Sequence, residues 1–522
     1  MLARIYIIKK LKITKILTRN ICLSFGLIVL AACTTVGPDY QEPEVDWLQQ
    51  WQPTAYQYFS VTDGQQASSN KSHSIHGQLW WQLFNDPILN KLIDEARQEN
   101  YSLRIAGLKI VESRALLGIA DSTLYPQLQM VSGDGSYINT ESSGGDNPSS
   151  DSYGAYQAGF NVGWELDFWG RFRRGIESAD AAYFASITTH QDAQILLAAQ
   201  VANAYFSYRL TQARIEIAHK NANIQKRSYE ITTNVFQSGD GSELDLQQAK
   251  TQYLATLSTI PELEIALFQT RNAIAILLGR QPGGLAELGL SDEAYHWPEI
   301  SAEFFQYIPA NMLTRRPDVR TAAWQVAAQS AQVGVAEAEF YPAITLFGSI
   351  GWSSSTIAGA SDTSNFIVGP GFSWNILDYD RIENNVRIQD ARLQQLMENY
   401  QNQVLQAAKE VDDASYSLLK TDEQKQLIDD SLAASQRALE LANIRYREGY
   451  SDFQRVLDAQ RAMFSQYDRQ LVNQGTYMAA IISIYKSMGG GWTEMTVDQM
   501  ISPEVRKTME QRTDWGEMLN EQ

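Results

Sequence analysis

Between Tyr156 and Phe168 the chain alternates strictly. The even positions are Tyr156, Ala158, Phe160, Val162, Trp164, Leu166 and Phe168; the odd ones are Gln157, Gly159, Asn161, Gly163, Glu165 and Asp167. A two-residue period with one apolar, aromatic-rich face and one polar face predicts a β-strand. The pattern returns with Phe366, Val368, Phe372, Trp374 and Ile376 set against Gly369, Gly371, Ser373 and Asn375. Ile344, Leu346, Ile350 and Trp352 form a third apolar face, and a weaker strand begins at Leu124. Such a face suits a soluble sheet packed on a core, but alternation with aromatics near the ends also marks a transmembrane barrel strand of ~9–11 residues, the reading the strands favour. The linking segments "NTESSGGDNPSSDS" and "SSSTIAGASDTSN" are long and polar, as outward-facing barrel loops are.

Elsewhere the period lengthens to that of a helix. Phe172 to Gln237 holds no proline and a single glycine, Gly175, in its first turn; Arg381 to Glu448 holds neither residue. At ~1.5 Å per residue each segment makes a helix roughly 100 Å long. Ala198, Val201, Ala202, Tyr205 and Tyr208 recur at three-four spacing, as do Val404, Ala408, Val411, Ala414 and Leu418. Seams this apolar, and this rich in small residues, predict bundle or coiled-coil packing.

The two halves follow one plan. Trp164–Arg171 aligns with Trp374–Arg381, Gly239 with Gly449 and Gly279 with Gly489, each at an offset of 210; Tyr125-Pro126 aligns with Tyr341-Pro342 at 216. Such self-similarity is a duplication, each half reading helix, strand, loop, strand, long helix, glycine, helix. Four strands cannot close a barrel, and an open edge in lipid leaves backbone groups unpaired at several kcal/mol each. Either the sheet is soluble or several chains share one barrel.

The start of the chain favours a membrane. Six cations (Arg4, Lys9, Lys10, Lys12, Lys15, Arg19) and no acid precede the apolar run Ile21–Leu30. That order reads as a secretory signal peptide, and the run is too short to span a bilayer that needs about 20 residues. Leu30-Ala31-Ala32-Cys33 resembles the bacterial lipobox, whose cysteine becomes an acylated N-terminus. Cys22 falls within the signal, so Cys33 is the one cysteine left for the mature chain, which excludes an internal disulfide or a cysteine metal site. By the same resemblance, Thr34 rather than Asp at the next position implies sorting to the outer membrane. Loss of the six cations takes the formal charge from −18 to −24, which argues against a nucleic-acid partner. No apolar run after Cys33 is long enough for a spanning helix, so any membrane crossing falls to strands.

Catalytic chemistry finds little support. Of five histidines, His73 and His76 lie in a polar linker, His190 and His219 on predicted helices, and His296 apart from them. No Gly-Lys-Ser/Thr phosphate loop, His-Glu-x-x-His or Gly-x-Ser-x-Gly occurs. "GDGSELD" at Gly239 has only the first half of a calcium loop, and Asp240 and Asp245 read as solvating a turn.

Several long segments resemble the TolC-like outer-membrane factors of tripartite efflux pumps, in their lipidated branch. They are "CTTVGPDYQEPE" at Cys33, "WWQLFNDPILNKLIDEARQEN" at Trp80, "LTRRPDVRTAAWQVAAQSAQVGVAEAEFYPAITL" at Leu313, "WNILDYDR" at Trp374 and "YREGYSDFQRVLDAQRAMF" at Tyr446. The resemblance runs from Cys33 to about Trp492. It implies a mixed α and β membrane protein with a transmembrane β-barrel, four strands per chain and twelve in a homotrimer. That barrel is continuous with a long α-helical periplasmic barrel. It further implies an exit duct conducting small molecules, a periplasmic adaptor and an inner-membrane pump as partners, outer-membrane lipid around the barrel, and no cofactor beyond the covalent lipid on Cys33. The alternative from another class is a lipid-anchored periplasmic coiled-coil adaptor or scaffold without a pore.

The expected organisation is a signal peptide over 1–32, a lipidated segment over 33–86, a first repeat over 87–285, a linker over 286–308, a second repeat over 309–492 and a polar tail over 493–522, which carries no readable signal. Phe160, Val162, Trp164, Phe372 and Trp374 are expected to face lipid, and Asn161, Glu165 and Asn375 water. Gly239 and Gly449 are expected to turn the chain at the helix tips, since glycine tolerates positive φ. Asp452, Arg455 and Asp458 are three residues apart and share roughly one helical face; Glu243 and Asp245 occupy the matching turn. Asp458 falls where the family has the aspartate of its Leu-Leu-Asp-Ala-Gln segment, which implies a carboxylate ring at a periplasmic gate, with Arg455 or nearby polar groups as partners. The plainer reading is a solvated acidic turn whose charges favour the helix dipole.

Overall fold

The computed structural model describes residues 35–54, 79–142, 149–283, 295–298, 300, 310–357 and 362–519. The signal segment, Cys33, His73 and His76 lie outside the described residues. Helices α1 (Pro87–Glu99) and α2 (Tyr101–Ser122) lead into strands β1 (Leu128–Ser142) and β2 (Ser149–Leu166), then α3 (Arg171–Gln237) and α4 (Glu243–Leu277). The second half runs α5 (Pro317–Ala338), β3 (Ala343–Ser354), β4 (Thr363–Ser373), α6 (Arg381–Arg447) and α7 (Phe453–Ser487), followed by α8 (Val497–Met500) and α9 (Pro503–Arg512). No helix among the described residues is long and apolar enough to cross a membrane.

The duplication extends to lengths and hydrogen bonds. Helices α2 and α5 have 22 residues each, α3 and α6 have 67, and α4 and α7 have 35. Each of the four long helices ends in a glycine at positive φ: Gly239 (+85°), Gly279 (+67°), Gly449 (+76°) and Gly489 (+73°). At each end the glycine N–H bonds three residues back and the next N–H five residues back, as in Asp240 to the Val235 carbonyl and Tyr450 to the Arg445 carbonyl. This is the Schellman arrangement, which satisfies the last carbonyls of a helix. Beyond the glycine and its two chain neighbours, no heavy atom of the described residues lies within 4 Å of where a β-carbon on Gly239 or Gly449 would sit. The backbone sign, not crowding, requires glycine there.

The sheet runs β1-β2-β3-β4, antiparallel throughout. Its strands differ in length: 15 and 18 residues in the first half, 12 and 11 in the second. Trp374, Asn375 and Ile376 were expected to continue the last strand, but β4 stops at Ser373. The cause is its neighbour. Ser373 pairs with Ala343, and the next residue on that side is Pro342, which has no N–H to give. In the first half the ladder goes further because the Gln127 side chain continues it, donating to the Glu165 carbonyl (3.1 Å) and accepting the Glu165 N–H (2.7 Å).

Contacts divide the chain into two compact units. The first takes residues through Pro43, Glu112–Ala185 and Ala322–Tyr400, and holds the sheet. The second takes Glu44–Val111, Ser186–Thr321 and everything from Gln401. Its core includes the fully buried Trp80, Trp81, Leu89, Leu92, Ile93 and Tyr205, with Trp80 stacked on Tyr485 at 5.5 Å. The second unit also buries an ion network. Arg316 donates to both oxygens of Asp318 (3.0 and 2.8 Å), to Glu410 (2.9 Å) and to the Ser487 carbonyl (2.9 Å). Asp192 of α3 and Lys486 join them around a cavity of about 210 Å³.

The C-terminal tail is folded. Val497, Ile501, Met509 and Leu519 bury themselves against Val111, with Leu108, Met500, Val505 and Trp515 packed around them. Gly107 admits this contact, since a β-carbon there would lie 2.9 Å from that of Met500. The apolar residues of the tail are spread thinly, so they read as polar until α2 supplies the other half of the cluster. Caps were the available signal: the Thr496 and Gln499 box before α8, and Ser502 with Pro503 before α9.

Candidate functional site

Both helix-tip turns belong to the second unit. After Gly239, the Ser242 hydroxyl caps α4 by accepting the Leu244 N–H at 3.1 Å. After Gly449, the Asp452 carboxylate caps α7 by accepting the Arg455 N–H at 3.2 Å. The two turns meet in an apolar cluster of Ala249, Leu439, Phe453, Val456 and Leu457, with the Tyr446 ring 5.2 Å from that of Phe453. Glu243 is exposed, while Asp245 is half-buried and its charge reaches Tyr446. Burial first, and then Asp245, pushes the Tyr446 phenol above its ordinary value.

Arg455 and Asp458 are exposed on the face opposite Val456 and Leu457, as their spacing predicts. They do not pair with each other. Asp458 accepts from Gln454 (3.0 Å) and forms its ion pair with Arg461 (3.4 Å), whose guanidinium also reaches Gln252 across to α4 (3.5 Å). An acid placed N-terminal to its base is the better orientation on a helix, so Asp458 turns forward to Arg461 rather than back to Arg455. The sequence reading missed Arg461 and the Ser242 cap. Spacing three residues after Asp458, and the 210-residue offset from Asp452, were the signals available.

In the first unit the strand register assembles one apolar face. Phe160 pairs with Val131 and Ile350, Trp164 with Leu346, Ile350 with Phe366, and Ile344 with Phe372. Val162 shares this face, opposite Gly348 and so next to Val368. Phe366 and Phe372 are 76% and 79% exposed in the single chain, so nothing among its described residues covers them. The other face carries Asn161 opposite Ser349 and Glu165 opposite Thr345, with Glu165 ion-paired to Arg171 at 2.9 Å. Phe347 breaks the polar pattern; it lies over Gly369 and Gly371, whose missing side chains leave it room. Trp374 lies beyond the sheet, its indole N–H donating to the Phe340 carbonyl at 2.9 Å.

His190, 2% exposed, is held well below its ordinary pKa, at about 4, by burial and by Arg97, so it is neutral and structural. Among the described residues no group of three or more His, Cys, Asp or Glu side chains converges as a metal ion would need.

The outer membrane efflux protein family matches residues 92–280 and 308–490, one stretch in each half. The chain is 30% identical to the probable outer membrane lipoprotein SilC of Salmonella typhimurium over 479 residues, covering 90% of this chain and 98% of that one. It is 30% identical to the cation efflux system protein CusC of Escherichia coli, covering 90% and 97%. Among solved structures, the outer-membrane channel OprN superposes with a TM-score of 0.75 at 32% identity, over 88% of this chain and all of that one. These relatives are channel proteins, not enzymes. Matched in both halves and along nearly the full length of its relatives, the chain belongs to the outer membrane efflux protein family, the outer-membrane exit ducts of efflux systems.

Proposed function

We propose that three copies of this chain close one twelve-stranded barrel in the outer membrane, continued by their helices as a periplasmic conduit. The conduit receives small molecules from a periplasmic adaptor and an inner-membrane pump and releases them outside. One observation carries this reading: a four-stranded sheet with a continuous apolar face, and β1 and β4 at its two edges. Uncovered, that face is costly in water; unclosed, those edges are costly in lipid. Sharing the barrel among copies removes both costs, with Phe160, Val162 and Phe372 toward lipid and Asn161 and Glu165 toward the lumen. Trp374, just past the sheet, would lie at the membrane boundary.

In the second unit, the turns at Gly239 and Gly449 would form the periplasmic entrance, with Asp458 and Arg461 as its exposed charges. Asp452 serves the same region by capping α7. Cys33 would carry the lipid anchor, and no further cofactor is invoked.

Detergent extraction followed by planar-bilayer recording tests the duct. A heat-labile trimer with strong β signal and discrete conductance steps is expected. An extracted monomer with weak β signal that conducts nothing would leave a lipid-anchored scaffold instead. Mass spectrometry of the mature N-terminal peptide tests the anchor; an unmodified Cys33 removes it.

A further inference from the structure

The face of the sheet assigned to the lumen is not uniformly polar. Two consecutive rungs of the register carry large apolar side chains on it. One rung reads Leu128, Gly163, Phe347 and Gly369 across the four strands; the next reads Met130, Asn161, Ser349 and Ile367. The four apolar residues are half exposed, from 45% at Met130 and Phe347 to 53% at Ile367. Farther along the strands the face is polar again, with Gln157 donating to Asp134 at 3.0 Å. Rungs on one face are two residues, about 7 Å, apart, so the belt is narrow.

Glycines shape this belt. A β-carbon on Gly163 would lie 3.3 Å from that of Leu128, and β-carbons on Gly369 and Gly371 would each lie 3.6 Å from the Phe347 ring. Phe347 therefore lies along β4 and coats the wall; it does not project across the passage as a plug would. Met130 and Ile367 stand on the two edge strands, so a barrel closed from several copies has an apolar position on each side of every seam. A conduit for bare ions gains nothing from such a belt, since apolar surface in water is costly and barrel interiors are ordinarily polar.

One rung from Phe347, on the side of the long helices, Glu165 borders a cavity of about 350 Å³. Arg171 and Arg381, the first residues of α3 and α6 and counterparts across the duplication, both line it. Arg171 pairs with Glu165 at 2.9 Å and Arg381 with Glu339 at 3.6 Å. In each pair the guanidinium is the more exposed partner, 39% against 25% and 61% against 34%. Asp167, another acid of the wall, is taken up by the Phe172 and Arg173 N–H groups and the Arg173 guanidinium, each at 3.0 Å. The charge this cavity offers a solute is therefore positive.

We infer that the belt and the two arginines beside it form one subsite on the wall of the duct, and that it takes amphipathic organic acids. The apolar body lies along Leu128, Met130, Phe347 and Ile367 while the carboxylate meets Arg171 or Arg381. This names a cargo class for the duct proposed above and rests on that proposal. A guanidinium suits a carboxylate because it donates two parallel bonds. A ring partly removed from water by the belt gains affinity without any closed pocket. Contacts that are weak and repeated around a wall let cargo leave as readily as it enters.

The test applies 4-benzoylbenzoate, an aromatic acid that inserts into nearby C–H bonds on irradiation, to the purified full-length protein in detergent. Adducts located by tandem mass spectrometry should fall on Met130 and Phe347. Excess 4-phenylbutyrate should suppress them, and butyrate, which lacks the ring, should not. Phe347→Gln should lower the adduct at Met130 roughly three- to tenfold, and Ile367→Gln serves if that variant does not assemble. Arg381→Gln should lower it roughly two- to fivefold, and the trimethylammonium analogue of the probe should label less than the acid. Adducts confined to Phe160, Phe366 or Phe372 on the opposite face, equal labelling by the cation, or yields unchanged in the variants would overturn the subsite. Any of these results on a heat-labile trimer that still conducts spares the duct, whereas a monomer that conducts nothing removes duct and subsite together.

Discussion

Asp458 and Arg461 form an exposed pair one turn into α7, at 3.4 Å. Pairs of this kind contribute at most ~1 kcal/mol, so their effect belongs to charge at the entrance and not to folding. In a trimer, three such carboxylates near one axis would attract cations and repel each other. Asp458→Ala should therefore raise basal conductance or weaken block by multivalent cations, with little change in thermal stability. Asp240→Ala, in the other turn, should leave the recording unchanged. Bilayer traces that do not distinguish Asp458→Ala from wild type would return the residue to the role of a solvated helix charge. Asp452→Ala should instead cost about 1 kcal/mol of stability through the lost cap, seen as earlier thermal unfolding. The tip glycines were legible because residue type and position suffice for them, whereas the Ser242 cap was not. The partner of Asp458 was not, because Arg455 and Arg461 are both three residues away and only side-chain direction chooses between them.

Strands β2, β3 and β4 were readable from their alternation; β1 was only weakly so and begins at Leu128, not Leu124, and the register brings the alternating apolar positions onto one face. What alternation could not give was where pairing stops. Trp374 keeps the two-residue rhythm yet leaves the sheet because Pro342, thirty-two residues earlier, has no N–H to offer it. The tail escaped for a related reason: its apolar residues form a cluster only with Leu108 and Val111, far away in sequence. If the apolar face meets lipid, an arginine near its middle costs ~2–4 kcal/mol, whereas one on the lumen side costs little. Phe160→Arg should thus deplete the heat-labile trimer on gels, and Asn161→Arg should not. Equal tolerance at the two neighbours would invert or abolish the assignment of faces.

For the molecule as a whole, acidity bears on Asp192. Burial, then the neighbouring Asp318 and Glu410, push its carboxyl up to about 6, and Arg316 and Lys486 offset this only in part. A carboxyl whose pKa is higher folded than unfolded binds its proton more tightly in the folded state. Its contribution is complete below the unfolded value and is lost as pH rises through about 6. The wild type should gain about 2–3 kcal/mol of stability on going from neutral pH to about pH 4, as far as this residue is concerned. Asp192→Asn should remove that dependence and unfold later at neutral pH. Thermal melts of both forms across the range check it, and parallel curves would exclude Asp192 as the source. Nothing in the local sequence marks this residue, since its four charged neighbours come from three other stretches of chain.

Helices α3 and α6 both leave the same sheet and both end beside the same apolar cluster, 67 residues later in each case. Because their last turns share that cluster, the two helices must keep one length. Strands and outer loops are free of that constraint, and they are where the two halves have drifted apart. Removing about seven residues, close to two helical turns, from both α3 and α6 keeps the apolar seams nearly in phase. Such a doubly shortened protein should still form trimers, detected as heat-labile bands. The same deletion in one helix alone leaves the Gly239 and Gly449 turns out of step, and Phe453 without the partners that bury it. Insertions in this family should accordingly be inherited in pairs, so that any lengthening of the conduit is a two-site event.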